Sequence, residues 1–249
     1  IGNNSLKIFD NFYKLITKKT VRSPSIKIAE MSKLLENIYR SINIALINEL
    51  KIATTKLDIN IYDVIKIAST KPFGFQKFFP GPGTGGHCIP IDPIYFSWLS
   101  KKKGVNVKFI ELSSKINQIR TKWIIKKLKA IAKKISNPKI LLLGLSYKKN
   151  IEDTRESASV KILEDLLKQN YKIDYSDPFN KKITLNYRKK RKFLFSKKFD
   201  KKIIKKYNLI IIATDHDKFD YSMLKSSNKI IVDLRGKFKN IKSKYIYQL

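Results

Sequence analysis

The sequence predicts an α/β chain: a helical region, then a parallel sheet with helices on both faces. Three observations carry this. Apolar residues recur every three or four positions along two long stretches of the first half. Beyond about residue 137, short unbroken apolar runs alternate with an amphipathic stretch, the pattern of strands buried on both faces. Glycine and proline are scarce, nine and eight in 249 residues, and they fall where these segments end or within one unusual loop.

Residues 1–23 read as a short amphipathic helix and a loop ending at Pro24. A helix is expected from about Ser25 to Leu57, with Leu34, Leu35, Ile38, Ile42, Ala45 and Leu46 as its buried face. A second, Ile61–Ser69, is stopped by Pro72 and Gly74. "DPIYFSWLSKKKG" gives a third, closed by Gly104. One long helix should follow from about Ile110 to Ile135 and end at Ser136-Asn137-Pro138. "KILLLGL" (139–145) is a strand, "SASVKILEDLLKQ" (157–169) a helix, and "YKIDYSDP", "YNLIIIAT" and "KIIVDL" further strands. These assignments place a boundary near residue 136.

The formal net charge is +33. Only seven of the 53 basic residues are arginine, the side chain suited to base and phosphate forks. The lysines are spread along the chain, which favours a solvated surface over a specific nucleic-acid site. The densest run, "YRKKRKFLFSKKFDKKIIKK" (187–206), stays a candidate for an anionic partner. No apolar run is long enough to span a membrane. The first residues resemble no signal peptide. A single cysteine, Cys88, suits a reducing cytoplasm and rules out a disulfide framework.

That cysteine lies in "FFPGPGTGGHCIP", residues 78–90. Gly81, Gly83, Gly85 and Gly86 allow close backbone approach to a ligand, while Pro80, Pro82 and Pro90 stiffen the loop. The residues alone leave two readings open: a ligand cradle with a reactive thiol, or a turn with an inert one. His87 adjoins the thiol but points elsewhere in an extended loop. Asp92, four residues on, is placed to orient a water or take a proton. Lys33 and Asn37 share one helix face, where a lysine can stabilise an oxyanion. Ligands of parallel sheets bind at the carboxyl ends of strands. Lys148, Arg155, His216 and Arg235 should gather there. The first turn has only Gly144, so an intact dinucleotide fingerprint is absent.

Four stretches in order, "AEMSKLLENIYRSINIALINEL", "FFPGPGTGGHCIPIDP", "LLLGLSYKKNIEDTRES" and "TDHDKF…IVDLRG", resemble the UDP-glucose/GDP-mannose dehydrogenase family over nearly the whole chain. The wording is most similar to the UDP-N-acetylglucosamine 6-dehydrogenase branch. The resemblance implies a central helical dimerisation domain (24–136) with the cysteine loop and a Rossmann-like UDP-sugar-binding domain (137–249). Residues 1–23 resemble the end of the family's N-terminal NAD-binding Rossmann domain, which otherwise has no counterpart here.

The implied chemistry is a two-step, NAD-dependent oxidation of a sugar C6 alcohol to a carboxylate for polysaccharide biosynthesis. It runs through a thiohemiacetal and a thioester on Cys88. The resemblance makes Lys33 the oxyanion partner, Asn37 a substrate and water ligand, and Asp92 the assistant to the water or the lysine. Phe79, Gly81, Gly83 and Gly85, with Tyr147, Lys148 and Arg235, match substrate contacts. Arg155 matches a contact to the NAD phosphates, and no metal is implied. An arginine reaching in from a partner subunit occurs in some members, and only Lys71 or Lys77 stands nearby here. Other expectations are a UDP-glucose 6-dehydrogenase, or a non-catalytic UDP-sugar-binding and dimerisation module. Binding to a specific nucleic acid or to a membrane is not expected.

Overall fold

The computed structural model describes residues 2–187, 190–241 and 243–249. Two of the basic-run positions, 188 and 189, therefore lie outside the described residues. Ile1 does too.

The first half is helical: α1 (Asn3–Lys14), α2 (Ile26–Lys56), α3 (Ile61–Ala68), α4 (Asp92–Lys102) and α5 (Lys108–Ala132). Ser25 caps α2, its hydroxyl accepting from the Ile28 N–H. Asn60 caps α3 in the same way. Gly104 takes the left-handed conformation (φ +78°) that closes α4. The helix α5 ends at Ala132, three residues earlier than its apolar pattern predicts. Lys133–Ile135 complete it as turns, and Asn137 at φ +47° redirects the chain into the sheet.

The buried face of α2 departs from the sequence reading. Leu35 and Leu46 are exposed, whereas Asn37, Ile38, Ser41, Ala45 and Asn48 are buried. The polar edge of the helix packs against α5 and the cysteine loop. Its leucine edge, continued by Leu50, faces outward.

The second half holds β1 (Lys139–Leu143), α6 (Ala158–Lys168), β2 (Lys172–Ser176), β3 (Lys182–Tyr187), β4 (Lys190–Phe195), α7 (Lys201–Lys205), β5 (Leu209–Ile212), α8 (Ser222–Lys225), β6 (Ile230–Asp233) and β7 (Ile246–Gln248). The sheet order is β2-β1-β5-β6-β7, and every pairing is parallel. Side chains of β1 alternate between two dry layers. Ile140 and Leu142 meet Ile124, Leu128 and Ile131 of α5 and Ile162, Leu163 and Leu166 of α6. Leu141 and Leu143 meet Ile204, Phe219, Tyr221, Leu224 and Phe238. The helix α5 thus serves both halves: its middle, at Arg120 and Thr121, holds the cysteine loop, and its last turns cover the sheet.

The hairpin β3–β4 is antiparallel and was not foreseen. Leu185 tucks into the core, while Phe193 and Phe195 face solvent with Lys182 over the Phe193 ring at 4.4 Å. Among the described residues, no helix is long and apolar enough to cross a membrane.

Candidate active site

The cysteine loop lies between α3 and α4 and is held from three sides. Gly81 donates its N–H to Oδ1 of Asn48 on α2 at 3.0 Å. Its carbonyl accepts from Nε of Arg120 on α5 at 3.0 Å. The next carbonyl, Pro82, accepts from the Thr121 hydroxyl at 2.8 Å. Asn48 is itself fixed by Asn117, 3.0 Å away, and Asn117 donates to the Ser41 carbonyl at 3.2 Å. From the sheet side, the Arg155 carbonyl accepts the Gly86 N–H at 2.8 Å. Two glycines are obligatory. Gly83 sits at φ +149°, with Thr121 Oγ1 only 2.6 Å from where a Cβ would be. At Gly85 a Cβ would lie 2.5 Å from that of Tyr147.

Cys88 is exposed and free. Its carbonyl accepts from the N–H groups of Ile91 (3.1 Å) and Asp92 (2.8 Å), which welds it to the start of α4. Asp92 occupies the first turn of that helix, where the dipole favours a carboxylate. Its Oδ2 accepts from Nδ2 of buried Asn37 at 2.6 Å. Three of the four sequence candidates therefore meet at one corner. Lys33, one turn before Asn37, is exposed and pairs with Glu36 at 3.1 Å. Such a surface pair contributes little, so Lys33 is readily released toward an anionic partner.

Across the loop stands Arg235. Its Nε donates to the Ala213 carbonyl (2.9 Å) and its Nη2 to the Tyr147 carbonyl (3.1 Å). Its Nη1 is 3.0 Å from the position of a Gly81 Cβ, so a side chain there would press on that nitrogen. Burial pulls this guanidinium below its ordinary range, while Asp215 at 3.9 Å opposes the shift. Lys148 is exposed beside Tyr147, and Phe79 is half exposed, stacked on Tyr62 with centroids 6.4 Å apart. Arg155 is exposed and paired with Asp153, Nη2 to Oδ2 at 2.6 Å. That hydrogen bond, joined by the carboxylate's charge, raises Arg155; a thiolate at Cys88 would add to the same shift.

His216 does not join this group. It is fully buried, its Nδ1 accepting from the Asn150 N–H at 2.9 Å and its Nε2 lying 3.1 Å from Asp177. The Nε2 therefore carries the proton and donates. Burial works against the Asp177 charge, yet His216 and the N–H groups of Leu145, Asn180 and Phe179 prevail and hold its pKa at about 2. The imidazole serves the turn after β1. His87 is exposed. Among the described residues, no group of three or more His, Cys, Asp or Glu side chains is placed to hold a metal ion.

Sequence reasoning missed the brace: Asn48, Asn117, Arg120 and Thr121, and the Asp153 partner of Arg155. The signal was present. Asn117, Thr121, Ile124 and Leu128 follow one helical stripe, so the polar members had to be buried beside apolar ones.

Residues 27–119 match the UDP-glucose/GDP-mannose dehydrogenase family, central domain, and residues 141–240 match the same family's UDP binding domain. A UDP-N-acetyl-D-mannosamine dehydrogenase of Methanococcus vannielii is 39% identical over 72% of this chain and 41% of its own length. A UDP-N-acetyl-D-glucosamine 6-dehydrogenase of Pseudomonas aeruginosa is 35% identical over 70% of this chain and 42% of its own. The solved UDP-D-ManNAc dehydrogenase of Pyrococcus horikoshii superposes with a TM-score of 0.78 at 28% identity, covering 98% of this chain and 57% of that one. The chain thus spans about two fifths of the length of the curated relatives it matches. It belongs to the UDP-glucose/GDP-mannose dehydrogenase family.

Proposed function

We propose that this chain forms the substrate-binding and thiol-bearing part of a nucleotide-sugar 6-dehydrogenase acting on a UDP-linked 2-acetamido sugar. The observation that carries the proposal is the corner where Asn37 holds Asp92 and where Cys88 is welded to the same helical turn. A diphosphate is received by Arg235 and Lys148, with the loop of Phe79, Gly81, Gly83 and Gly85 and the Tyr147 side chain framing the sugar. The relatives named for the manno and gluco acetamido sugars support that substrate class over UDP-glucose.

NAD, when bound, would supply the hydride acceptor that both oxidations need. Of its seat this chain supplies Arg155, exposed near the thiol and suited to a phosphate oxygen. The chain's own residues do the rest. The Cys88 thiolate adds to the C6 aldehyde, forming the C–S bond of a thiohemiacetal whose oxyanion Lys33 meets on leaving Glu36. After the second oxidation the carbon is a thioester. Asn37 and Asp92 position a water that attacks it, the C–S bond breaks, and the carboxylate and thiolate separate. The outward leucine edge of α2 supports a homodimer through the helical half.

Calorimetric titration with UDP-N-acetylglucosamine, UDP-N-acetylmannosamine and UDP-glucose tests this reading. Binding of an acetamido sugar, kept by Cys88→Ser and weakened about tenfold or more by Arg235→Ala, is expected. Failure to bind any of the three overturns it. No NADH is expected from these 249 residues alone, since a hydride acceptor needs more of a seat than Arg155.

A further inference from the structure

Beneath the loop lies a cluster of donors that the proposed chemistry does not use. Arg120 is fully buried. Its Nε is spent on Gly81, and its face lies 5.0 Å from the Trp123 ring centroid. Among the described residues, its Nη1 and Nη2 have no hydrogen-bond partner, and neither has the buried hydroxyl of Tyr62 on α3. Lys51 on α2, only 4% exposed, donates to the Gln248 carbonyl at 3.1 Å. The acids that act on this neighbourhood are Asp233 and, at Tyr62, Asp215; the Asp233 oxygens already accept from the N–H groups of Arg235 and Phe238. Burial pushes Asp233 up, toward its neutral form.

Both cations register the strain. Burial, then the Arg120 charge, lowers Lys51 to about 8 against the pull of Asp233. Burial lowers Arg120 to about 10. Unpaired buried donors and uncompensated buried charge are each costly, so an acceptor is the missing element. A pocket of about 620 Å³, lined by Lys51, Asn60, Lys239 and Gln248 among others, opens onto Lys51; Arg120 and Tyr62 are not among its lining residues and lie deeper.

We infer that a small inorganic anion of the halide class binds here, on the two free guanidinium nitrogens of Arg120, with the Tyr62 hydroxyl and the Lys51 charge completing the site. It would tie the brace under Gly81 to the far end of the sheet, where Gln248 lies. The inference needs none of the catalytic assignments.

The test compares thermal unfolding of the chain in sodium chloride, sodium bromide and sodium gluconate at equal ionic strength. A saturable rise of a few degrees in either halide over gluconate is expected, absent in Arg120→Gln and reduced in Lys51→Met. Equal midpoints in all three salts, or a halide effect that Arg120→Gln retains, would overturn it. Should Arg120→Gln fail to fold, crystals of the unaltered chain soaked in sodium bromide decide. An anomalous peak within hydrogen-bonding reach of the Arg120 Nη atoms supports the site. A water there without anomalous signal sinks it.

Discussion

The two halves of the molecule bury opposite kinds of side chain. The sheet is dry: Ile140 to Leu143 and Leu209 to Ile212 are fully buried and pack into two apolar layers. The seam between α2 and α5 is polar, and a pocket of about 570 Å³ opens beside it at Ser41, Asn117 and Thr121. The seam buries Asn37, Ser41, Asn48, Asn117, Arg120 and Thr121. An apolar layer stabilises in proportion to its area and is indifferent to direction. A polar seam adds little net stability, but each of its bonds fixes a geometry. The sheet therefore keeps the chain folded, and the seam keeps one loop in place.

The largest effect that separates them is expected from Leu142→Ala. It should cost about 3 kcal/mol of unfolding free energy in a denaturant titration, with UDP affinity nearly unchanged. A parallel loss of affinity would break the comparison. Acid is the next probe. Asp177 titrates at about 2 in the fold, below the unfolded value of about 3.9. The folded state thus holds fewer protons between these values. Its contribution, on the order of 2 kcal/mol, is present above pH 4 and is lost as pH falls through 2. In Asp177→Asn that part of the acid slope should vanish from pH-dependent melting curves.

Asn48→Ala is the mirror image of the first variant. It strands the Gly81 N–H and one side of Asn117, for about 1.5 kcal/mol of stability. It should weaken UDP binding about tenfold, roughly 1.4 kcal/mol and so comparable with its cost in folding. Equal affinity would show that the seam is only packing. The smallest change is Cys88→Ser. With an exposed thiol, unfolding should move by less than about 0.5 kcal/mol, while labelling by a thiol reagent disappears.

Legibility from sequence follows the same division. The strands of the sheet were readable because a strand buried on both faces must be continuously apolar, as "KILLLGL" and "YNLIIIAT" are. The hairpin β3–β4 was hidden under its charge: Lys182, Lys190 and Arg191 occupy exposed positions of a ribbon whose inner face is Ile183, Leu185, Tyr187 and Leu194. On α2 the apolar rule misled. Leu35 and Leu46 are outside because the inner edge serves the loop, and a rule that sends leucines inward has no term for that duty. Asn37, Asp92 and Cys88 could be named from motif wording. Their meeting could not, since Asn37 and Asp92 are 55 residues apart. The brace stayed invisible because a buried asparagine looks like a surface one until its partner is placed.

The two ends of one glycine carry a last consequence. The N–H of Gly81 is held by α2 and its carbonyl by α5. A single residue is thus clamped between two helices like the pointer of a vernier. Adjacent residues along a helix differ by only about 1.5 Å of rise. A slip of α2 past α5 by that much would pull one clamp open before it disturbed any apolar layer. The loop therefore registers how the two longest helices are aligned.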